Sequence, residues 1–311
     1  MTSKRPRLAC LAGAGTAPEL MAQASIALNA VAHFHGFELE QVHVPFGGLA
    51  YAHVAQLMPS STRTALLGAD AVLVAGADEP ALADVMSELD LRARVTRVRF
   101  GARDDVAFVT SVGESSEEWA LERAFALAES RTLRLALVGD ELWRDAADVV
   151  GADFEHVRVE EISPRDAMPL AAFNASRFDV VAVGPSWAEA MVDIAAAPAE
   201  SRFVAHALLA EHGPSLFVPS ADGGFALAAG HGVVNPSSML LAAALALQHG
   251  LGQPSAAATL AGAVSHALVD GPRTPDLLRR GIGATTREFT QRVLAGFQLS
   301  THNAEFFPGV A

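Results

Sequence analysis

At 311 residues and with a single cysteine, the chain can bury one or two cores, and it excludes a disulfide framework or multi-cysteine metal centre. A formal charge of −13 argues against nucleic acid or an anionic membrane as partner. Half the residues are hydrophobic, yet no stretch reaches the roughly 18 to 20 consecutive apolar residues of a spanning helix, so the expectation is a cytoplasmic protein with no membrane partner.

In chain order, a basic start (Met1 to Arg7) leads into an apolar strand, Leu8 to Ala12, that breaks into Gly13-Ala14-Gly15. A strand entering a glycine turn accounts for this better than a signal peptide, and Cys10 within it reads as a buried, inert thiol. Pro18 opens a helix that continues to about His35. A strand at Leu39 to Val44 ends in Pro45-Phe46-Gly47-Gly48. A short helix at Thr62 to Leu67 and a strand at Ala71 to Ala75 follow. The arginine run Arg92, Arg94, Arg97, Arg99 and Arg103 reads as a strand with one solvated face. Further strands are expected at Ala107 to Val109, Leu133 to Val138 and Val180 to Val183. Further helices are expected at Glu117 to Ser130, Trp187 to Ala196, Ser238 to His249 and Ser255 to Val269. The tail after Gln298 shows no periodicity and reads as an appended or swapped segment. Alternation of strand and helix predicts an α/β fold with a largely parallel sheet. The least regular stretches place an inserted middle domain at 101–200, between outer segments 1–100 and 201–311.

Several motifs share one register. Gly13-Ala14-Gly15-Thr16-Ala17-Pro18-Glu19-Leu20, Pro45-Phe46-Gly47-Gly48, Phe178-Asp179-Val180-Val181 before Gly184, Gly230-His231-Gly232-Val233-Val234-Asn235-Pro236, Thr274-Pro275-Asp276-Leu277 and Gly283 to Thr290 occur in the order and spacing of the isocitrate/isopropylmalate dehydrogenase family. The chain resembles that family over about residues 8 to 295. The resemblance implies the isopropylmalate-dehydrogenase-like two-domain fold and a homodimer or a heteromer with a related subunit. It also places a deletion between Thr110 and Glu117, where the family carries a dimer arm.

The family oxidises a 2-hydroxy acid with NAD(P) and a divalent cation, then releases the β-carboxylate as CO2. Hard carboxylate oxygens hold Mg2+ or Mn2+, and the positions matching those ligands are Asp166, Glu189 and Asp193. Glu189 and Asp193 stand four apart and share a helix face, where a solvated surface is the plainer reading. Arg92 matches one substrate-binding arginine. The other two positions fall near Leu82 and Thr110, which makes a di- or tricarboxylate an unsuitable substrate. For the dinucleotide, the matching residues are Gly223, Gly230, Gly232 and Asn235, although Asp222 puts a negative charge beside a would-be pyrophosphate.

The family's acid-base lysine and tyrosine are not matched. Lys4 and Tyr51 are the only residues of their kinds, and neither falls at the family's position. Acid-base groups contribute roughly 10² to 10⁴-fold each. Asp140, near the lysine's place, and His231, between two glycines, remain as weak catalytic candidates. His206 and His212 lack a nearby acid or cysteine in metal spacing, and Ser186, Ser237 and Ser238 at helix starts read as caps. The leading expectation is a diverged member that is inactive as a standard dehydrogenase and acts as a ligand-binding or partner subunit. Its rivals are a metal-dependent NAD(P) oxidoreductase or decarboxylase with altered chemistry on a small 2-hydroxy or 2-oxo acid, and an ordinary dehydrogenase for an uncharged or monocarboxylic substrate.

Overall fold

The computed structural model describes residues 5–76, 81–100, 104–113, 116–197, 204–220, 226–278 and 282–306. In chain order the elements are β1 (Arg7–Ala12), α1 (Ala17–His35), β2 (Glu40–Pro45), α2 (Gly47–Val54), α3 (Ser60–Leu67), β3 (Ala71–Ala75), α4 (Leu82–Ser87), β4 (Leu91–Phe100) and β5 (Asp104–Ser111). There follow α5 (Glu117–Glu129), β6 (Arg134–Val138), α6 (Glu141–Gly151), β7 (Arg158–Ile162), α7 (Pro164–Asn174), β8 (Val180–Val183) and α8 (Pro185–Ala196). The chain closes with β9 (Ala205–Ala210), β10 (Ser215–Pro219), α9 (Ser237–Leu245), α10 (Pro254–Asp270) and α11 (Thr286–Phe306). No helix among the described residues is long and apolar enough to cross a membrane.

The chain forms two compact units, one of Met1–Leu89 with Gly213–Ala311, the other Asp90–His212. The second unit therefore begins and ends outside the expected 101–200 segment. The reason is that β4 and β9, either side of that segment, pair with each other. In the first unit the strand order is β2-β1-β3-β10, and these pairs are parallel. Apolar β1 and β3 are buried under α1 and α9, as expected where helices cover a parallel sheet. The Cys10 thiol sits in this core, and burial pushes its pKa up to about 12, so it is inert.

In the second unit the order is β9-β4-β5-β8-β6-β7. Only β4 pairs antiparallel, with β5 and with β9; β5, β8, β6 and β7 run parallel. One core gathers Val98, Val106, Phe108, Val138, Val181 and Val183 against Ala167, Ala171, Ala188 and Met191 of α7 and α8.

Two expectations need correction. β4 has no single solvated face. Even-numbered Arg94 and odd-numbered Arg97 leave opposite sides of the strand, and α8 and α5 both pack on it. The tail after Gln298 is not irregular, because α11 continues as helix to Phe306. Between Ser111 and Glu117 only a short link joins β5 to α5.

Candidate functional site

The antiparallel part of the second unit builds a polar constellation from four elements. Arg94 stands opposite Thr110 in the β4–β5 ladder. Thr96, two residues on and so on the same face, is the β4 partner of His206 on β9. The Thr96 hydroxyl and His206 Nδ1 lie 2.7 Å apart. Glu189, on α8, reaches the same place, and Arg94 donates to it at 2.6 Å.

The electrostatics follow from these contacts. The hydrogen bond from Arg94, and then its charge, hold the Glu189 carboxyl below the usual range. Burial lowers the His206 pKa from 6.5 to about 4, assisted by the Arg94 charge and opposed by Glu189. His206 is thus a neutral imidazole at physiological pH. The Thr110 hydroxyl is buried without a hydrogen-bond partner. Arg94 carries five N–H donors and commits Nη1 to Glu189, so among the described residues donors remain for a ligand.

The sequence-selected residues are placed differently. Arg92 lies at a β-bulge, where Leu91 and Ala93 span one step of β9, and bulges re-aim side chains. Its Nε bonds Asp90 at 2.7 Å and lies 3.6 Å from Glu211, so it is engaged by acids. Asp166 is the third residue of α7 in a reciprocal cap: its N–H donates to Ser163 Oγ, and that hydroxyl donates back to Asp166 Oδ2 at 2.7 Å. Glu189 is taken by Arg94, and Asp193 is an exposed residue of the same helix. Among the described residues, these three acids do not gather at ligand distance. Within one chain this donor set does not fit a divalent cation.

Asp140 is the N-cap of α6, accepting from Trp143 N at 3.0 Å. His231 is exposed in the turn formed by Gly230 and Gly232, both at positive φ. Gly232 N donates to the Glu19 carboxylate at 3.2 Å, which places a negative charge at an amide that a phosphate would need. Asn235 is buried and spans two contacts: its amide donates to Thr274 Oγ1, and its carbonyl accepts from Ser237 N. Gly223, Asp222 and Lys4 lie outside the described residues. The described part of this loop does not fit a pyrophosphate. Tyr51 is an exposed residue of α2.

Two further readings change. Folding brings Glu189 to His206 from 17 positions away and Asp90 to His212 from 122 positions away, where Asp90 joins the adjacent Glu211; spacing reveals neither distant acid. Ser237 and Ser238 do not cap α9; their hydroxyls are buried without partners, and Asn235 bonds the Ser237 amide instead. Among the described residues one group of three His or acidic residues lies at ligand distance, Asp90, Glu211 and His212. The Arg92 guanidinium bonds its acids, and the hydrogen bond from His212, then Arg92, keeps Asp90 below the usual range. This is an ion-pair cluster in which the Arg92 guanidinium engages both carboxylates.

The architecture and the helix-flanked, mostly parallel sheet define a class first, the two-unit α/β proteins of dehydrogenase type. The isocitrate/isopropylmalate dehydrogenase pattern matches residues 111–293. The 3-isopropylmalate dehydrogenase of Synechococcus sp. (strain CC9902) is 30% identical over 88% of this chain and 94% of its own. That of Prochlorococcus marinus (strain MIT 9313) is 28% identical over 89% and 95%. A β-decarboxylating dehydrogenase from Thermococcus kodakarensis has the same fold, with TM-score 0.82 at 20% identity over 97% of this chain and 99% of that one. Isocitrate dehydrogenase from Methylococcus capsulatus superposes with TM-score 0.76 at 16% identity over 94% and 99%. The chain belongs to the isocitrate/isopropylmalate dehydrogenase family.

Proposed function

We propose that this chain is a diverged, ligand-binding member of the family that has given up the standard dehydrogenase reaction. The observation that carries this reading is the Arg94–Glu189 pair at 2.6 Å. At the position matching a metal-ligand carboxylate, a fixed guanidinium supplies the positive charge that a divalent cation would bring. Asp166 is spent on a helix cap, Glu19 occupies a glycine-loop amide, and no described residue replaces the family's lysine.

What Arg94, Thr96, Thr110 and His206 offer is recognition. A planar fork suits one carboxylate, a hydroxyl at Thr110 can meet a second polar group, and a neutral imidazole can accept from or donate to a substrate hydroxyl or ketone. The ligand class is a small 2-hydroxy or 2-oxo acid with a single carboxylate. A homodimer, or a heteromer with a related subunit, is the proposed assembly. Exposed Leu142 and Val149 on α6, and Phe173 on α7 at 91% exposure, support it.

A thermal-shift titration tests this with Mg2+, Mn2+, NAD+ and NADP+, singly and combined, beside a panel of 2-hydroxy and 2-oxo monocarboxylic acids. A ligand at 100 times its Kd adds about 2.7 kcal/mol to folding stability, several degrees in Tm. The expected result is a shift from a monocarboxylic acid that Arg94→Met abolishes, and none from the metals or nucleotides. A Mg2+ or Mn2+ shift that disappears in Asp193→Asn would replace this reading with the rival one, a metal-dependent NAD(P) oxidoreductase or decarboxylase.

A further inference from the structure

Strands β6 and β7 begin side by side with arginines. Arg134 and Arg158 are register partners in the parallel ladder, and adjacent strands run about 4.8 Å apart. Like charges facing each other across strands destabilise a sheet, so this pair calls for a compensating charge.

The protein does not supply one among the described residues. Asp179, immediately before β8, accepts from Arg131 Nε at 2.6 Å, from Thr132 N at 3.2 Å and from the Thr132 hydroxyl. Glu160, two residues along β7, is paired with Arg177 at 2.6 Å. Arg134 and Arg158 are both exposed.

Arg134, Arg158, Glu160, Arg177, Phe178 and Asp179 line one recess of about 120 Å³. The volume exceeds the roughly 10 to 15 Å³ that one water needs and falls below the roughly 300 Å³ at which cofactor and drug-sized pockets begin. A small polyatomic ion fits; a dinucleotide does not. Arg134 and Arg158 are the first residues of their strands, so the recess lies at the amino ends of the parallel strands. Ligands of open α/β sheets ordinarily sit at the carboxyl ends. Sites at amino ends are therefore additional to the one such a fold is built around.

We propose that this recess is a binding site for a small dianion, an organic phosphate or a dicarboxylate, held between the Arg134 and Arg158 guanidinium forks. Bidentate forks match both oxyanions. Arg177, stacked 5.5 Å from the Phe178 ring centroid and tethered by Glu160, forms a third wall. A dianion would neutralise two facing cations that pair with no described carboxylate, since Asp179 and Glu160 of the same recess are engaged by Arg131 and Arg177. The site concentrates positive charge in a chain whose net charge is −13, so it selects small anions without attracting polyanions to the molecule as a whole.

The test uses the full chain and follows Tm against inorganic phosphate and against malonate, each compared with sodium chloride at matched ionic strength. The expected result is a saturable rise in Tm beyond the salt control. Arg134→Gln and Arg158→Gln should each weaken apparent affinity at least tenfold, their combination should abolish the effect, and Arg144→Gln on the exposed face of α6 should preserve it. Without ligand, Arg158→Gln should melt at or above the parent temperature, because it relieves the facing charges and shows that the variant folds. A response to phosphate alone assigns a phosphate ester, a response to malonate alone a dicarboxylate, and a response to both a general dianion site. A rise no larger than the chloride control, or one that survives the double substitution, overturns the proposal.

Discussion

At the scale of single residues, burial without a partner sets the most direct expectations. A buried hydroxyl that makes no hydrogen bond forfeits roughly 1 to 3 kcal/mol, and Thr110 is such a group. Thr110→Val keeps its shape and removes the orphan, so the ligand-free protein should gain about 1 kcal/mol, near 2 °C in Tm, while binding of a small acid weakens. A loss of stability would show that Thr110 is satisfied within the fold. His206 gives a pH dependence. Its folded pKa is about 4 against an ordinary 6.5, so between those values the unfolded chain binds a proton that the folded chain refuses. Its contribution is full above pH 6.5 and falls by up to roughly 3 kcal/mol on acidification to pH 4. Urea unfolding across that window should show a shallower pH slope in His206→Gln than in the parent. Equal slopes would mean that the imidazole protonates freely in the fold.

At the scale of elements, Asp166, one of the acids matching a metal ligand, closes the start of a helix. Ser163 and Asp166 close the first turn of α7 on each other, and a cap of this kind contributes about 1 kcal/mol. Ser163→Ala and Asp166→Ala should therefore lower Tm by similar small amounts, with no effect on the response to Mg2+. A metal response lost only in the Asp166 variant would restore the ligand role. The pattern Ser163-Pro164-Arg165-Asp166 carries the capping signature in the sequence itself. A second element-scale device is Arg131, which bonds Asp105 of β5 and Asp179 before β8. Burial raises Asp105, but Arg97 and Arg131 lower it further, and it stays ionised below the usual range. Removing one partner of a largely buried pair costs about 3 kcal/mol, so Arg131→Met should lower the urea midpoint far more than Arg123→Met on the exposed face of α5. Similar losses from both would mean that the network is solvated.

At the scale of the molecule, the question is what one chain leaves incomplete. Leu142, Val149 and Phe173 expose apolar surface on α6 and α7, and such surface is commonly buried by a partner. Analytical ultracentrifugation of the purified chain should give a dimer mass, and Leu142→Asp with Phe173→Asp should give a folded monomer. A monomer in the parent chain would remove the homodimer from the proposal and leave the heteromer. The net charge of −13 belongs to this scale too, since it governs long-range attraction and not pairwise contacts.

The sequence by itself determined the family and the strand–helix alternation, because glycine turns, proline starts and apolar periodicity act over a few residues. It placed β3, β8 and α5 nearly to the residue. It did not show that Arg94, Thr96, Thr110, Glu189 and His206 converge, since three strands and a helix must pair before they meet. Nor did it show that Arg92 leaves the site, which depends on a bulge against β9, or that two arginines 24 positions apart stand side by side at the start of β6 and β7. Which charges neutralise one another is decided by distance in space, and only the folded chain sets those distances.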